Sequence, residues 1–245
     1  MTRLDGEIAI VTGGGTGIGK GIARRFVEEG ASVVLASRNA ATLEASAAEL
    51  GAEGGTVVAV ATDVADEAQV EALFAETALR FGRLDLLVNN AGAFEFAPLD
   101  EMGFGQWERL LSVNLTGVFL CTRAALKTMK RQGSGRIINI GSISAEKPRV
   151  GQGGYGATKA GVISLTRATA LEGRPHGISA GCINPGLVDV SDGDVYTDAR
   201  THRDEPSITP AEIAEVAVTM AALPPGVSML DATVLPTQQL FVGRG

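Results

Sequence analysis

Tyr155 and Lys159 stand four residues apart, and together they offer the most direct chemistry in this chain. On a helix they share one face, a turn apart. An ammonium held there favours ionisation of the phenol, whose ordinary pKa is near 10. A phenol tuned in that way exchanges a proton near neutral pH and serves as a general acid or base. Ser142 precedes the pair at the carboxyl end of an apolar run containing Ile137, Ile138 and Ile140, where its hydroxyl can donate to a carbonyl oxygen. Such a pair carries weight only in context, so the elements that must position it come next.

The chain opens on a buried-strand pattern, Glu7 to Thr12, followed by Gly13-Gly-Gly-Thr-Gly-Ile-Gly19. An amphipathic helix follows, with Ile18, Ile22 and Phe26 on one face and Gly30 as its stop. Strand, glycine turn and helix form a phosphate cradle. Glycine lets backbone approach a pyrophosphate, and the helix start offers free N–H groups. The spacing of Gly13, Gly17 and Gly19 is G-x-x-x-G-x-G, which differs from the dinucleotide fingerprint G-x-G-x-x-G.

The second strand, Ser32 to Ser37, ends in Ser37-Arg38 with no carboxylate for ribose hydroxyls. Arg38 suits a 2′-phosphate instead, which points to NADP over NAD. Asn39 caps a helix running through Leu50. Thr56 to Ala61 forms strand three, and Asp66 with Gln69 reads as a capping pair for a helix to Phe81. Leu84 to Val88 empties into Asn89-Asn-Ala-Gly92. One long helical pattern spans about 105–130, with Asn114 in its apolar middle as either a core hydrogen-bond node or a site residue. The helix from Tyr155 to Glu172, a strand from Ile178 to Ile183, Asn184-Pro-Gly186, a Thr209-Pro-Ala-Glu212 helix start and a short strand from Ala232 complete the pattern.

Alternating strands and helices predict an α/β fold: a doubly wound parallel sheet of about seven strands, helices on both faces, and one domain over 1–245. Ligands bind such sheets at the carboxyl ends of the strands, and every motif above lies at such an end or begins the helix that follows it. Residues 187–206 are polar and acidic and read as a substrate loop or lid.

Composition narrows the function. The 245 residues are 45% hydrophobic with formal charge −7, which argues against a nucleic-acid backbone as partner. No run of about 18 apolar residues appears, so no membrane span is expected. Cys121, Cys182, His176 and His202 have no metal-like spacing, and the two cysteines read as reduced residues of a cytoplasmic protein. A serine hydrolase is disfavoured by the absence of a G-x-S-x-G elbow.

The sequence resembles the short-chain dehydrogenase/reductase family, in its compact single-domain branch with a Rossmann-type sheet. The resemblance rests on Thr12–Gly19, Asn89-Asn-Ala-Gly92, Asn114, Ser142, Tyr155 with Lys159, and Pro185-Gly186. It implies hydride exchange between a nicotinamide and a carbonyl or secondary alcohol. Tyr155 would be the acid–base group, Lys159 would lower its pKa and hold the nicotinamide ribose, Ser142 would bind the substrate oxygen, and Asn114 would support a water-linked proton path. Cofactor contacts would come from Gly13, Gly15, Thr16, Gly17, Ile18, Gly19, Ser37, Arg38, Asp63, Val64, Asn90, Ala91, Gly92, Tyr155, Lys159, Pro185, Gly186 and Val188. A homodimer or homotetramer is implied as well.

Val190 stands where the family often has a Thr, and the Leu235-Pro-Thr237 tail lacks a common Asp-Gly-Gly. The short acidic segment after Gly186 argues for a small to medium, fairly polar substrate. Arg200 and Arg203 read first as partners of neighbouring carboxylates. The competing reading is a catalytically silent dinucleotide-binding sensor or scaffold.

Overall fold

The computed structural model describes residues 2–52, 54–190 and 206–241. Its strands are β1 (Ile8–Thr12), β2 (Ser32–Ser37), β3 (Val57–Ala61), β4 (Leu86–Asn89), β5 (Gly135–Ile140), β6 (Ile178–Pro185) and β7 (Asp231–Val234). They form one parallel sheet in the order β3-β2-β1-β4-β5-β6-β7. Strand order therefore reverses between β1 and β4, which opens a crevice at the carboxyl ends of those two strands.

The strands are apolar runs because both faces are covered. Ala9, Val11, Val33, Leu35, Leu86 and Val88 pack on one side with α1 (Gly17–Glu28), α2 (Ala40–Ala52) and α7 (Pro210–Ala221). Ile10, Val34, Ala36, Leu87 and Ile137 pack on the other with α3 (Glu67–Phe81) and α5 (Gly117–Gln132). The α6 helix (Gly153–Gly173) joins that second layer through Val162 and Ile163, against Val118 and Cys182.

Two local features depart from expectation. The predicted 105–130 helix is α4 (Phe104–Leu111), a π-helical turn (Ser112–Thr116) and then α5. One residue is thus inserted into the helix at Asn114, and π-turns of this kind concentrate at functional sites. The 29-residue rod Phe104–Gln132 is apolar enough to cross a membrane by length and composition, but half of its apolar window is buried in this fold. At α3, Asp66 accepts from the N–H groups of Ala68 and Gln69, while the Gln69 carbonyl oxygen accepts from Asp63 N–H at 2.9 Å. The Gln69 amide N–H donates back to Asp66 Oδ2 at 2.9 Å, so the expected pair forms and also braces the end of β3. The expected Thr209–Glu212 capping box of α7 forms in full.

Candidate active site

The site is assembled at the switch point between β1 and β4. Thr12, the last residue of β1, is buried, and its hydroxyl donates to Val88 C=O at 3.2 Å. The same oxygen accepts from the N–H groups of Asn90 at 2.9 Å and Ala91 at 3.1 Å. Asn90 returns its side-chain amide to Thr12 C=O at 3.0 Å and Gly13 C=O at 3.2 Å. These bonds fix the glycine turn to the end of β4. Asn90 thus shapes the cradle, its side chain turned into the turn rather than out towards a ligand.

The glycines here answer to close approach. A Cβ on Gly19 would strike Gly13 C=O and the Asn90 amide, and one on Gly13, whose φ is +65°, would lie 2.7 Å from that amide. Gly17, at φ +52°, starts α1, and Thr16 before it makes no side-chain cap bond, so the first amides of α1 remain for an anion. From outside, Ser46 of α2 donates to Gly15 C=O at 2.8 Å. Ile18 is half-buried against the core, and Ser37 at the end of β2 faces Gly15. Arg38 is exposed beside Ser37 and makes no ion pair among the described residues. Asp63 and Val64 close the far side; Val64 is buried and packs where Gly117 leaves room at the start of α5. Shape, the amides at the start of α1 and an exposed guanidinium fit a dinucleotide.

The residues expected to carry the chemistry gather beyond the end of β5. Ser142 follows that strand by two residues and caps a short 3₁₀ turn, accepting from Ser144 N–H at 3.1 Å. The α6 helix presents Tyr155 and Lys159, both nearly inaccessible to solvent. Lys159 donates to Ile140 C=O at 2.7 Å, and its ammonium lies 5.7 Å from the centre of the Tyr155 ring. Burial pulls Lys159 down to about 8. Burial also pushes the Tyr155 phenol above its ordinary value, and a hydrogen bond from Ser142 offsets part of that. Tyr155 therefore stays protonated through the neutral range.

Asn114 is fully buried in the π-turn. Its carbonyl oxygen accepts from Ala93 N–H at 2.6 Å, and its amide donates to Ala93 C=O at 2.9 Å and to Thr158 Oγ1 at 3.3 Å. It therefore clasps the segment after Gly92 to α6. Gly92 is exposed at the mouth, a short step from Asn114 and Phe94. At the end of β6, Gly186 has no room for a Cβ because Gln239 of the tail lies against it and accepts from Leu187 N–H at 3.0 Å. Val188 bridges to Ile208, and Val190 packs beside Gly17. The expected substrate segment lies outside the described residues over 191–205, and so do Arg200, Arg203 and His202. His176 sits in an exposed turn before β6, at the opposite end of the sheet.

Sequence reasoning named Thr12 only as the start of the glycine motif and missed Ser46; both hydroxyls serve backbone atoms distant in sequence. It also missed Gln152, which accepts from Ser144 Oγ at 3.0 Å and Arg149 N–H at 3.1 Å and so orders the loop between Ser142 and Tyr155. Phe94 and Phe96 went unflagged although both flank the Tyr155 ring, at 4.8 and 6.2 Å between centroids. Their position just past Gly92 was the available signal.

A doubly wound parallel sheet with a glycine cradle at its switch point defines a dinucleotide-binding enzyme fold. A family model described as short chain dehydrogenase matches residues 7–200. The chain belongs to the short-chain dehydrogenase/reductase family. It is 41% identical over 189 residues to a 3-oxoacyl-[acyl-carrier-protein] reductase of Synechocystis sp., covering 77% of this chain and 76% of that one. A metagenomic short-chain oxidoreductase solved with NADP superposes with a TM-score of 0.84 at 32% identity, over 97% of this chain and 100% of that one. An alcohol dehydrogenase from the archaeon Thermococcus sibiricus, complexed with 5-hydroxy-NADP, gives 0.85 at 30% identity over 95% and 97%. The protein is accordingly a nicotinamide-dependent oxidoreductase of alcohols and carbonyls.

Proposed function

We propose that residues 1–245 act as one domain that reduces a carbonyl of a small to medium, fairly polar substrate, preferring NADPH, with Tyr155 as the proton donor. The observation that carries this reading is the convergence of Ser142, Tyr155 and Lys159 at the end of β5, next to the glycine cradle. A bound nicotinamide supplies the hydride. Ser142 holds the substrate oxygen. Tyr155, kept neutral by burial, delivers its proton to that oxygen, and in the oxidative direction takes it back. Lys159 stabilises the phenolate left behind and, from its seat on Ile140 C=O, reaches the nicotinamide ribose. Asn114 holds the π-turn against α6 and supports proton return towards Lys159.

The NADPH preference is supported by Arg38, exposed beside Ser37 without a carboxylate partner among the described residues, and by the two solved relatives complexed with NADP and a derivative of it. The reading also places the enzyme in the cytoplasm as a homodimer or homotetramer, consistent with two buried free cysteines and with the family resemblance.

The test is NADPH and NADH oxidation against ketones, 3-oxo esters, quinones and aldehydes, run in both directions beside Tyr155→Phe. Carbonyl-dependent turnover that collapses in the variant supports the enzyme. Cofactor binding with no turnover in either direction would make the protein a silent dinucleotide sensor. Light scattering reads the assembly.

A further inference from the structure

Thr158 stands in the chain between Tyr155 and Lys159, and the catalytic steps leave its hydroxyl unassigned. It is fully buried in α6. A threonine inside a helix can return its hydroxyl proton to a carbonyl one turn back. Here Oγ1 donates to Tyr155 C=O at 2.8 Å. In an α-helix that carbonyl is also the acceptor for the N–H of the residue four positions on, which is Lys159. One carbonyl therefore gathers Tyr155, Thr158 and Lys159. The hydroxyl has no second proton to give, so it meets Asn114 as an acceptor, taking the side-chain amide at 3.3 Å.

Close helix packing makes that meeting possible. Gly154, Thr158 and Gly161 share one face of α6, at i, i+4 and i+7. A Cβ on Gly154 would lie 3.0 Å from the Leu110 side chain of α4, and one on Gly161 3.0 Å from Leu115 of the π-turn. The glycines above and below Thr158 let α6 come up against the α4–π-turn–α5 rod at the height of Asn114. The Asn114 amide commits both of its N–H groups, one to Ala93 C=O at 2.9 Å and one to Thr158, while its oxygen takes Ala93 N–H at 2.6 Å. Hydrogen bonds thus run without a break from Ala93, beyond the end of β4, through two fully buried side chains to Tyr155 C=O. Phe94, next after Ala93, stacks its ring on Tyr155 at 4.8 Å between centroids, so the same strip meets Tyr155 at its backbone and at its ring.

Valine would fill the space of Thr158 but could neither accept from Asn114 nor donate to Tyr155 C=O. It would strand a buried N–H and release the carbonyl from its second donor. Shape alone therefore does not account for a hydroxyl at this position. We propose that Thr158 is a positioning residue for proton transfer: its hydroxyl locks the first turn of α6, and with it Tyr155 and Lys159, to Asn114 and the strip beyond β4. This rests on the enzymatic reading above and deepens it. Thr158 acts through Tyr155, so its loss falls on the proton-transfer step and leaves binding of substrate and cofactor in place.

The experiment compares NADPH-dependent reduction of ethyl acetoacetate and benzaldehyde by the wild-type enzyme, Thr158→Val and Thr158→Ser. Misplacing a reacting group by a fraction of its contact distance is costly, so kcat is expected to fall about 10- to 100-fold in Thr158→Val. KM and NADPH affinity should hold, and the solvent deuterium isotope effect on kcat should rise. Thr158→Ser, which keeps the hydroxyl, should recover most of the rate. A valine variant with wild-type kcat, a serine variant as slow as the valine one, or a loss carried by KM or by NADPH affinity overturns the inference while the enzymatic reading stands. If Thr158→Val does not fold, Thr158→Ala takes its place in the same comparison. Silence of the wild type towards every carbonyl in both directions counts against the enzymatic reading. The joint is then read by amide hydrogen exchange of the NADPH-loaded proteins. Protection lost over residues 91–97 and 155–159 in the valine variant and restored in the serine one, with β1 and β2 unchanged, supports it. Unaltered protection, or a loss spread evenly over the sheet, overturns it.

Discussion

The two halves of the crevice are built on different principles. At the ends of β1 to β3 the cradle is backbone: glycines with no room for a Cβ, turned by Thr12, Asn90 and Ser46 through bonds to main-chain atoms. Beyond the end of β5 the atoms proposed to work are side-chain atoms, those of Ser142 and, on α6, of Tyr155 and Lys159, and burial shifts the last two. The first half is made of shape and the second of protonation states. Substitutions in the first should therefore cost binding and folding together. Substitutions in the second should cost chemistry while the fold persists.

Tyr155→Phe is the strongest challenge to that contrast. It is expected to lower kcat about 10³-fold, in the range of lost acid–base catalysis, while NADPH affinity and the thermal midpoint hold. A variant that loses cofactor as well would show that the catalytic half is also architecture.

Arg38→Ala tests the exposed end of the cradle. Losing charge-assisted bonds to a 2′-phosphate is expected to weaken NADPH binding about 10- to 100-fold and leave NADH unmoved. Fluorescence titration with both cofactors reads this, and equal losses would remove the guanidinium from recognition.

Gly19→Ala sharpens the contrast from the other side. Its methyl would strike Gly13 C=O and the Asn90 amide. Stability in urea should drop by about 1–3 kcal/mol, as for overpacked interiors, with cofactor affinity falling alongside it. Thr12→Val, which strands the N–H groups of Asn90 and Ala91, should cost about 1–3 kcal/mol. Unchanged stability in both would mean that the turn is not shaped by these contacts.

Hydrogen-ion concentration gives the mildest test. Lys159, drawn down to about 8 from an ordinary 10.5, loses its charge in the folded protein before the unfolded chain does. Between about pH 8 and 10 the unfolded chain binds more protons at this site, so its contribution to stability rises with pH. Tyr155, pushed up by burial, works against this only above about 10. Over the same window the reductive kcat/KM should fall, by up to about tenfold per unit, as the ammonium disappears. Stability and rate should thus move in opposite directions. Parallel movement would show that Lys159 does not govern either one.

Much of this was legible in advance, for identifiable reasons. Strands buried on both faces read as unbroken apolar runs, so β1 to β6 lie within a residue or two of their predicted limits. The glycine turn and Ser142 were visible because each sits where such a run stops, and Tyr155 and Lys159 because they share one face of the helix that follows. What stayed hidden arises from contacts between segments. A π-turn adds one residue without disturbing the apolar stripe, so 105–130 reads as a single helix. Asn90 looks like a ligand contact until Thr12 and Gly13 are found within its reach. The outward aim of Phe94 and Phe96 follows from where Glu95 finds Arg109, and no local spacing encodes that.

The short bridge between Val188 and Ile208 has a consequence for how this enzyme can change over time. Asp189 N–H donates to Ile208 C=O at 2.8 Å and Ile208 N–H to Leu187 C=O at 2.9 Å, so the chain departs and returns at adjoining points. Closing such a loop costs only about 0.6 kcal/mol more for each doubling of its length. The stretch between the two points can therefore be shortened, lengthened or exchanged as a cassette while sheet, cradle and proton donor stay in register.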